Sequence, residues 1–167
     1  MGQGRSRWIV GAVAAATAAL AVTTAGPAAT AYAGARTSYG GNGDPQSCPN
    51  AYTARSAPIY GTRGVTKGVK TGEVQLRWST PCHGAWSKVV LYGSTFRSPA
   101  TVEQRIESEG RAAGSTDSSL YPWYVGTSSW TPYLRLGNYQ NLACAQAWVS
   151  SDFHTLNYHT VGARVCA

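Results

Sequence analysis

The clearest alternation of apolar and polar residues lies in two neighbouring runs, EVQLRW at 73–78 and WSKVVLY at 86–92. Side chains on a strand point alternately to two faces, so this alternation is typical of half-buried β-strands. In the first run we expect Val74, Leu76 and Trp78 to share the buried face. The polar bend between the runs contains a proline followed by a Cys-His pair. The pattern therefore predicts a β-hairpin.

Further along the chain the pattern predicts more short strands and no long helix. Val102, Gln104 and Ile106 alternate with charged or hydroxyl residues, which indicates a third half-buried strand. SEGRAAGSTDSS, at 108–119, has no period and is predicted to be a polar loop. ACAQAWV, at 143–149, fits either a strand or one helical turn, because alanine blurs the period. Short strands separated by Gly, Pro and Ser predict an all-β domain, either a sandwich or a small barrel.

The first 33 residues have the features of a secretory signal peptide. Arg5 and Arg7 precede an apolar, alanine-rich run, and AYA at 31–33 is similar to a signal-peptidase cleavage site. The apolar run is shorter than the roughly 20 residues that a membrane-spanning helix needs. We therefore expect residues 1–33 to be removed and the rest of the chain to be exported without a membrane span.

The expected exported chain divides into two parts. Residues 34–47 are rich in Gly, Ser and Asn and are predicted to form a flexible N-terminus. Residues 48–167 suffice for one domain and are too few for two ordinary ones. We predict a single all-β domain over 48–167.

Four cysteines lie in the part that is expected to be exported: Cys48, Cys82, Cys144 and Cys166. An even number of cysteines in an oxidising compartment usually forms disulfides. Four cysteines allow three pairings, and proximity along the chain favours Cys48–Cys82 and Cys144–Cys166 without deciding the matter. A catalytic Cys82-His83 pair is disfavoured, because such pairs are seldom sequence neighbours and a disulfide sulfur is not a thiolate nucleophile.

Two segments, YGGNGDPQSC at 39–48 and VQLRWSTPCHGAWSKV at 74–89, together resemble the bacterial domain of unknown function 2690 family, found in exported proteins of high-GC Gram-positive bacteria. The matching positions are Asp44, Pro45, Gln46, Cys48, Leu76, Arg77, Ser79, Cys82 and Trp86. The chain lacks the two further cysteines that family members usually have just before the Asp-Pro-Gln stretch, and it has Trp78 where tyrosine is common. The resemblance implies an exported β module with a Cys48–Cys82 bond, and it implies no activity.

No motif identifies an enzyme class: the sequence has no nucleophile elbow, phosphate loop, dinucleotide fingerprint or calcium loop. Asp152 could orient His154, and His154 and His159 have the spacing of some zinc ligands, but no cysteine pair precedes them. Surface histidines explain this pattern more simply. The acidic residues at 103–109 are interleaved with arginine, which is typical of a solvated edge strand rather than of a glycosidase carboxylate pair. We expect no catalytic site, metal or cofactor.

The charge of the chain points to a polyanionic partner. It has 14 Lys and Arg against seven Asp and Glu, and no acidic residue occurs between 54 and 72. The basic residues of that stretch are Arg55, Arg63, Lys67 and Lys70. A basic, Gly-spaced segment is attracted to polyanions, which outside a Gram-positive cell are wall teichoic acids and extracellular DNA. The alternative is that modest positive charge only keeps a small exported domain soluble.

Aromatic residues are the second candidate for a binding surface. The chain has six tryptophans and ten tyrosines, and such side chains stack on sugars and anchor protein contacts. We expect Trp78, Trp86 and Trp148 in the core, because the chain has few Leu, Ile and Phe to fill it. Trp123 and Trp130 are the candidates for an exposed aromatic site.

These observations together predict an exported, disulfide-bonded module that binds rather than catalyses. Its expected partner is an anionic cell-wall polymer or an extracellular protein, and no intracellular nucleic acid is expected. One alternative is a hydrolase inhibitor that presents the predicted loop at 108–119. Another is a small hydrolase that uses Asp152 and His154.

Overall fold

The computed structural model of the chain describes residues 36–62, 67–92, 100–117, 128–149, 160–161 and 164–167. The strands within these residues are β1 (Arg36–Gly40), β2 (Tyr52–Tyr60), β3 (Lys70–Ser79), β4 (Gly84–Leu91), β5 (Ala100–Ile106), β6 (Arg111–Asp117), β7 (Ser128–Trp130), β8 (Leu134–Arg135), β9 (Ala143–Val149), β10 (Thr160–Val161) and β11 (Val165–Cys166). Short 3₁₀ turns occupy Pro45–Ser47 and Glu107–Glu109. In the described part of the chain, no helix has the length and apolar character needed to span a membrane. The prediction of an all-β fold is confirmed.

The strands form two antiparallel sheets. Over the described residues, sheet A has the order β1-β6-β5-β9-β10, with β11 also paired to β9. Sheet B has the order β2-β3-β4-β7, with β8 also paired to β4. The predicted hairpin is the β3–β4 pair, and the ambiguous run at 143–149 is the strand β9.

The core lies between the two sheets and consists mainly of small aliphatic side chains. Its buried members are Ile59, Val74, Leu76, Ala85, Val89 and Leu91 from sheet B, and Ala100, Val102, Ala143, Ala145, Ala147 and Val149 from sheet A. The predicted buried faces of β3 and β5 are confirmed, and even Gln104 is fully buried. Because two separate sheets share one core, the architecture is a sandwich rather than a barrel.

Both disulfides predicted from proximity along the chain are confirmed. Cys48 is bonded to Cys82, and Cys144 is bonded to Cys166, with which it is directly opposed in the pairing of β9 with β11. No free cysteine remains among the described residues. The bend of the β3–β4 hairpin closes through His83, whose amide donates to the Thr80 carbonyl at 3.0 Å. Cys82 is therefore a cross-link and not a nucleophile.

Within the segment 34–47, for which the sequence predicts a flexible N-terminus, Arg36–Gly40 forms β1 and Pro45–Ser47 forms a 3₁₀ turn. β1 pairs with β6 along its whole length, and Tyr39 is opposite Gly114. A Cβ added to Gly114 would lie 2.3 Å from the Tyr39 ring, so the glycine lets this ring lie flat on the sheet. The Tyr39 hydroxyl then donates to Glu103 at 3.2 Å. Backbone pairing and the Tyr39 ring thus hold β1 on β6, although β1 has few apolar residues.

The predicted polar loop at 108–119 is wrong over Arg111–Asp117, which is the strand β6. β6 lies between β1 and β5, and its Ala113 and Ser115 are buried. Backbone hydrogen bonds on both sides hold this strand, so it needs no run of large apolar side chains. The solvated-edge interpretation of 103–109 is wrong as well, because β5 is an interior strand between β6 and β9.

Candidate functional site

A cleft on the outer face of sheet B brings positive charge and aromatic rings together. Arg77 and Trp86 are directly opposed on β3 and β4, and Lys88 is directly opposed to Trp130 of β7. Opposed residues share a face of the sheet, and here that face is turned away from the core. Together with Pro45, Gln46, Cys48 and Ala51, these four side chains line a cleft of about 300 Å³, which we call the cationic cleft.

One wall of the cationic cleft is the chain segment between β1 and β2. It is attached to sheet B by the Cys48–Cys82 disulfide and by Ser79, whose hydroxyl donates to the Pro49 carbonyl at 2.6 Å. Trp86 lines the same cleft as this segment and is only 5% exposed, although it belongs to the outer face. Trp86 is therefore buried as expected, but it lies outside the core between the sheets in which it was predicted.

The charge of the cationic cleft comes from Arg77 and Lys88, which are both half-buried. The Arg77 guanidinium donates to Thr53 Oγ1 at 2.6 Å and to the Ala51 carbonyl at 3.2 Å, so its position is fixed. Burial lowers the pKa of Arg77, which still keeps its charge at any physiological pH. Burial, followed by the charge of Arg77, lowers the pKa of Lys88. Two partly desolvated like charges favour an anion beside them.

No acidic side chain neutralises this charge within the described part of the chain. None of the residues that line the cationic cleft is an Asp or a Glu. The ion pairs among described residues use Lys70, Arg105, Arg111 and Arg164, and none includes Lys88. The arrangement is therefore suited to a ligand that brings its own negative charge.

The basic residues predicted from composition lie outside the cationic cleft, as far as they are described. Arg55, Lys67 and Lys70 are exposed, and Arg63 lies outside the described residues. Arg55 belongs to the middle of β2, whereas Lys67 and Lys70 follow the turn after β2. The Lys70 ammonium lies 3.7 Å from a Glu73 carboxylate oxygen, which offsets part of its charge. Their role as a polyanion-binding segment stays a prediction.

Sequence reasoning found one aromatic member of the cationic cleft and missed its charged members. Trp130 lines the cleft and is half-buried rather than exposed, and Trp123 lies outside the described residues. Arg77 and Lys88 become neighbours only through the register of the β3–β4 hairpin. A four-residue bend over 80–83 gives this register, since it places Arg77 opposite Trp86 with Lys88 two residues further on.

A second cleft opens at the end of the sandwich where β2 and β9 begin, and its volume is about 440 Å³. Tyr52 and Trp78, directly opposed on β2 and β3, form its wall on sheet B. Tyr139, from the chain between β8 and β9, forms the facing wall together with Ala143. We call it the aromatic cleft. Arg77 also lines it, so the two clefts are neighbours.

The rings of the aromatic cleft are fixed by contacts around the hairpin bend. Trp78 Nε1 donates to Thr80 Oγ1 at 3.2 Å, and the Trp78 ring meets the Tyr139 ring edge-on with centroids 6.1 Å apart. The Tyr139 hydroxyl is hydrogen-bonded to His83, and the centroids of these two rings are 5.4 Å apart. His83, which follows Cys82 in the sequence, is therefore a neighbour of the aromatic cleft rather than half of a catalytic pair.

Glu109 anchors the chain that carries Tyr139. Its carboxylate accepts hydrogen bonds from Asn141 Nδ2 at 2.7 Å, the Gly137 amide at 2.7 Å and Arg111 Nη1 at 2.8 Å. The hydrogen bond from Asn141 is the largest of the causes that lower the pKa of Glu109, followed by those from Arg111 and Gly137. The negative charge of Glu109 thus stabilises the loop between β8 and β9.

Glu109→Gln is expected to lower the free energy of unfolding by about 1–2 kcal/mol near neutral pH, because a charged acceptor of three hydrogen bonds becomes neutral. A carboxyl whose folded pKa is lowered stabilises the fold above its unfolded pKa, which is about 4.3, and this contribution is lost as the pH falls. Denaturant unfolding should therefore show that the variant and the parent protein differ less in free energy of unfolding below about pH 4 than at neutral pH. The control is Glu107→Gln, because Glu107 is 58% exposed and pairs with Arg164 on the surface. Equal effects of the two changes would contradict this prediction.

The residues of the hydrolase alternative, Asp152, His154 and His159, lie outside the described residues. A search of the described ranges finds no group of three or more His, Cys, Asp or Glu side chains that could hold a metal ion.

No protein-family model, curated protein or solved structure matches this chain. The resemblance to the domain of unknown function 2690 family stays a prediction. Its two segments, which are distant in the sequence, nevertheless meet at one place in the fold. The matching positions that line the cationic cleft are Pro45, Gln46, Cys48, Arg77 and Trp86.

Proposed function

We propose that the protein is an exported binding module that attaches to an anionic polymer of the cell wall through the cationic cleft. The observation that carries this proposal is the pair of Arg77 and Lys88, two half-buried positive charges with no described carboxylate lining the cleft around them. An anion that enters the cleft relieves the repulsion between them and replaces water that the protein already partly excludes.

The chemistry of the cleft favours phosphate groups along a polymer. The guanidinium of Arg77 has five donors, and among the described residues it makes two hydrogen bonds, to Thr53 and Ala51. Its other donors are available to a phosphate oxygen, and arginine binds phosphate with good geometry.

Export is supported by the two disulfides together with the signal-like sequence at 1–33. Disulfides form and persist in oxidising compartments, which include the outside of a bacterial cell. Among the other functions considered, the inhibitor hypothesis loses its main support, because the predicted inhibitory loop is mostly the strand β6. An extracellular protein with an acidic surface is the second candidate partner, since the same unneutralised charges would attract it.

Lys88→Glu is expected to weaken binding to immobilised poly(glycerol phosphate) teichoic acid by at least roughly tenfold at about 0.1 M salt, because it places a like charge beside the polymer. Lys88 is the residue to change because it lines the cationic cleft and not the aromatic cleft. Retention of the parent protein should also fall steeply as the salt concentration rises. Surface plasmon resonance would measure both effects, and thermal unfolding would show that the variant is folded.

The matched control carries Lys67→Glu and Lys70→Glu, which reverse two exposed charges outside the cleft, one before β3 and one at its first residue. We expect a loss of no more than about threefold from this control, through long-range charge alone. A larger loss from the control than from Lys88→Glu would assign binding to the basic segment instead. The proposed function would be refuted if retention of the protein on teichoic acid changed neither with the salt concentration nor in either variant.

A further inference from the structure

The aromatic cleft exists because the inner faces of both sheets end in alanine. Ala54, Ala85 and Ala143 line the cleft at positions where larger side chains would close the sandwich. The same inner face of β4 continues with Val89 and Leu91, which are fully buried in the core. Alanine leaves a space of about 440 Å³, which is within the range of small-molecule sites.

Large aromatic side chains surround this space and remain partly in water. Tyr52 is 52% exposed and Tyr139 is 63% exposed. Trp78 and Tyr139 are held in place by their hydrogen bonds to Thr80 and His83. Rings that are already ordered lose little side-chain entropy when a ligand stacks on them, which favours binding.

The polarity of the cleft indicates a ligand that is uncharged and has one wet edge. Arg77 has the charged side chain among the described lining, and its guanidinium donates to Thr53 Oγ1 and the Ala51 carbonyl. The hydroxyl of Tyr52 makes no hydrogen bond to any described residue, so it can donate to a ligand. A suitable ligand would place a flat apolar face against the aromatic rings. It would turn an edge of hydroxyl groups toward the Tyr52 hydroxyl and water.

We propose that the aromatic cleft binds one pyranose ring of a neutral glycan. A pyranose with equatorial substituents has a C–H face that stacks on one ring of the Trp78–Tyr139 pair, whose planes are 67° apart, while the other ring borders it. Its edge of hydroxyls then reaches Tyr52 and water. This site is separate from the cationic cleft, although Arg77 contributes to both. The aromatic cleft would let the protein select neutral sugars, which the charge of the cationic cleft alone does not do.

The test is calorimetric titration of the protein, purified after expression of the full chain with its disulfides formed, with cellotetraose and with chitotetraose. At least one of these neutral tetrasaccharides should bind with a dissociation constant below about 1 mM. Tyr52→Ala and Tyr139→Ala should each weaken it roughly tenfold, because each removes one exposed ring. Both side chains are more than half in water, so neither change threatens the fold.

The matched control is Tyr60→Ala, because Tyr60 is 50% exposed and lies at the other end of the same strand as Tyr52. It should leave saccharide binding unchanged, as should Lys88→Glu and added salt, so this proposal and the proposed function succeed or fail separately. Equal weakening by Tyr60→Ala, or no binding of either saccharide at about 10 mM, would overturn the inference. Saturable binding of octanol in place of both saccharides would also overturn it, in favour of an apolar ligand.

Discussion

Replacing Cys48 and Cys82 together with alanine is expected to lower the free energy of unfolding by about 2–5 kcal/mol. The bond closes a loop with a sequence separation of 34 residues, so its loss gives the unfolded chain more freedom. It also releases the segment that covers Trp86, and the folded state then exposes apolar surface. Denaturant unfolding measures the first effect, and a red shift of tryptophan fluorescence in the folded protein measures the second.

The control is the same replacement of Cys144 and Cys166, whose sequence separation is 22 residues. In the chain-entropy account, loop length alone makes the contributions of the two disulfides to the free energy of unfolding differ by only about 0.4 kcal/mol. We expect the Cys48–Cys82 replacement to have the clearly larger effect, because Cys48 also holds one wall of the cationic cleft. Equal losses without any change in fluorescence would mean that this bond acts only on the unfolded chain.

Trp86→Ala is expected to lower the free energy of unfolding by about 3–5 kcal/mol, as is typical when a buried indole is replaced by a methyl group. Trp86 is 5% exposed between the sheet and the segment 45–51, so its removal leaves a cavity beneath that segment. Trp86→Phe keeps most of the packing and serves as the conservative control, with an expected loss of less than half as much. Urea unfolding monitored by far-ultraviolet circular dichroism measures both variants.

The same variants test whether the segment 45–51 and the cationic cleft act together. Trp86→Ala should weaken teichoic acid binding, whereas Trp86→Phe should retain most of it, because an aromatic floor remains beneath Arg77 and Lys88. A loss of stability below about 1 kcal/mol for Trp86→Ala would show that the segment does not pack on the indole.

The parts of the fold that depend on local pattern could be predicted from the sequence. The alternation of Val74, Leu76 and Trp78 determines which face of β3 is buried, because apolar side chains on one face must meet the core. The pairing of the four cysteines followed their proximity along the chain. β6 could not be predicted, because its small and polar residues give no period and its position depends on hydrogen bonds to β1 and β5.

The candidate sites were less predictable than the fold because they depend on contacts between strands. Arg77 and Lys88 look like ordinary outward-facing residues until the register of the hairpin brings them together. Trp86 was expected in the core, and the disulfide-linked segment buries it on the other face instead. Net charge indicated the class of partner, but a count of basic residues could not show that Lys70 is paired with Glu73.

Arg77 lines both clefts, and its guanidinium is held by Thr53 Oγ1 and the Ala51 carbonyl. If these two hydrogen bonds survive when either cleft is occupied, each ligand should bind with the same affinity whether or not the other is present. If one ligand moves the guanidinium, thermodynamic linkage requires both affinities to change by the same factor. Titration of the saccharide with and without teichoic acid would measure that factor.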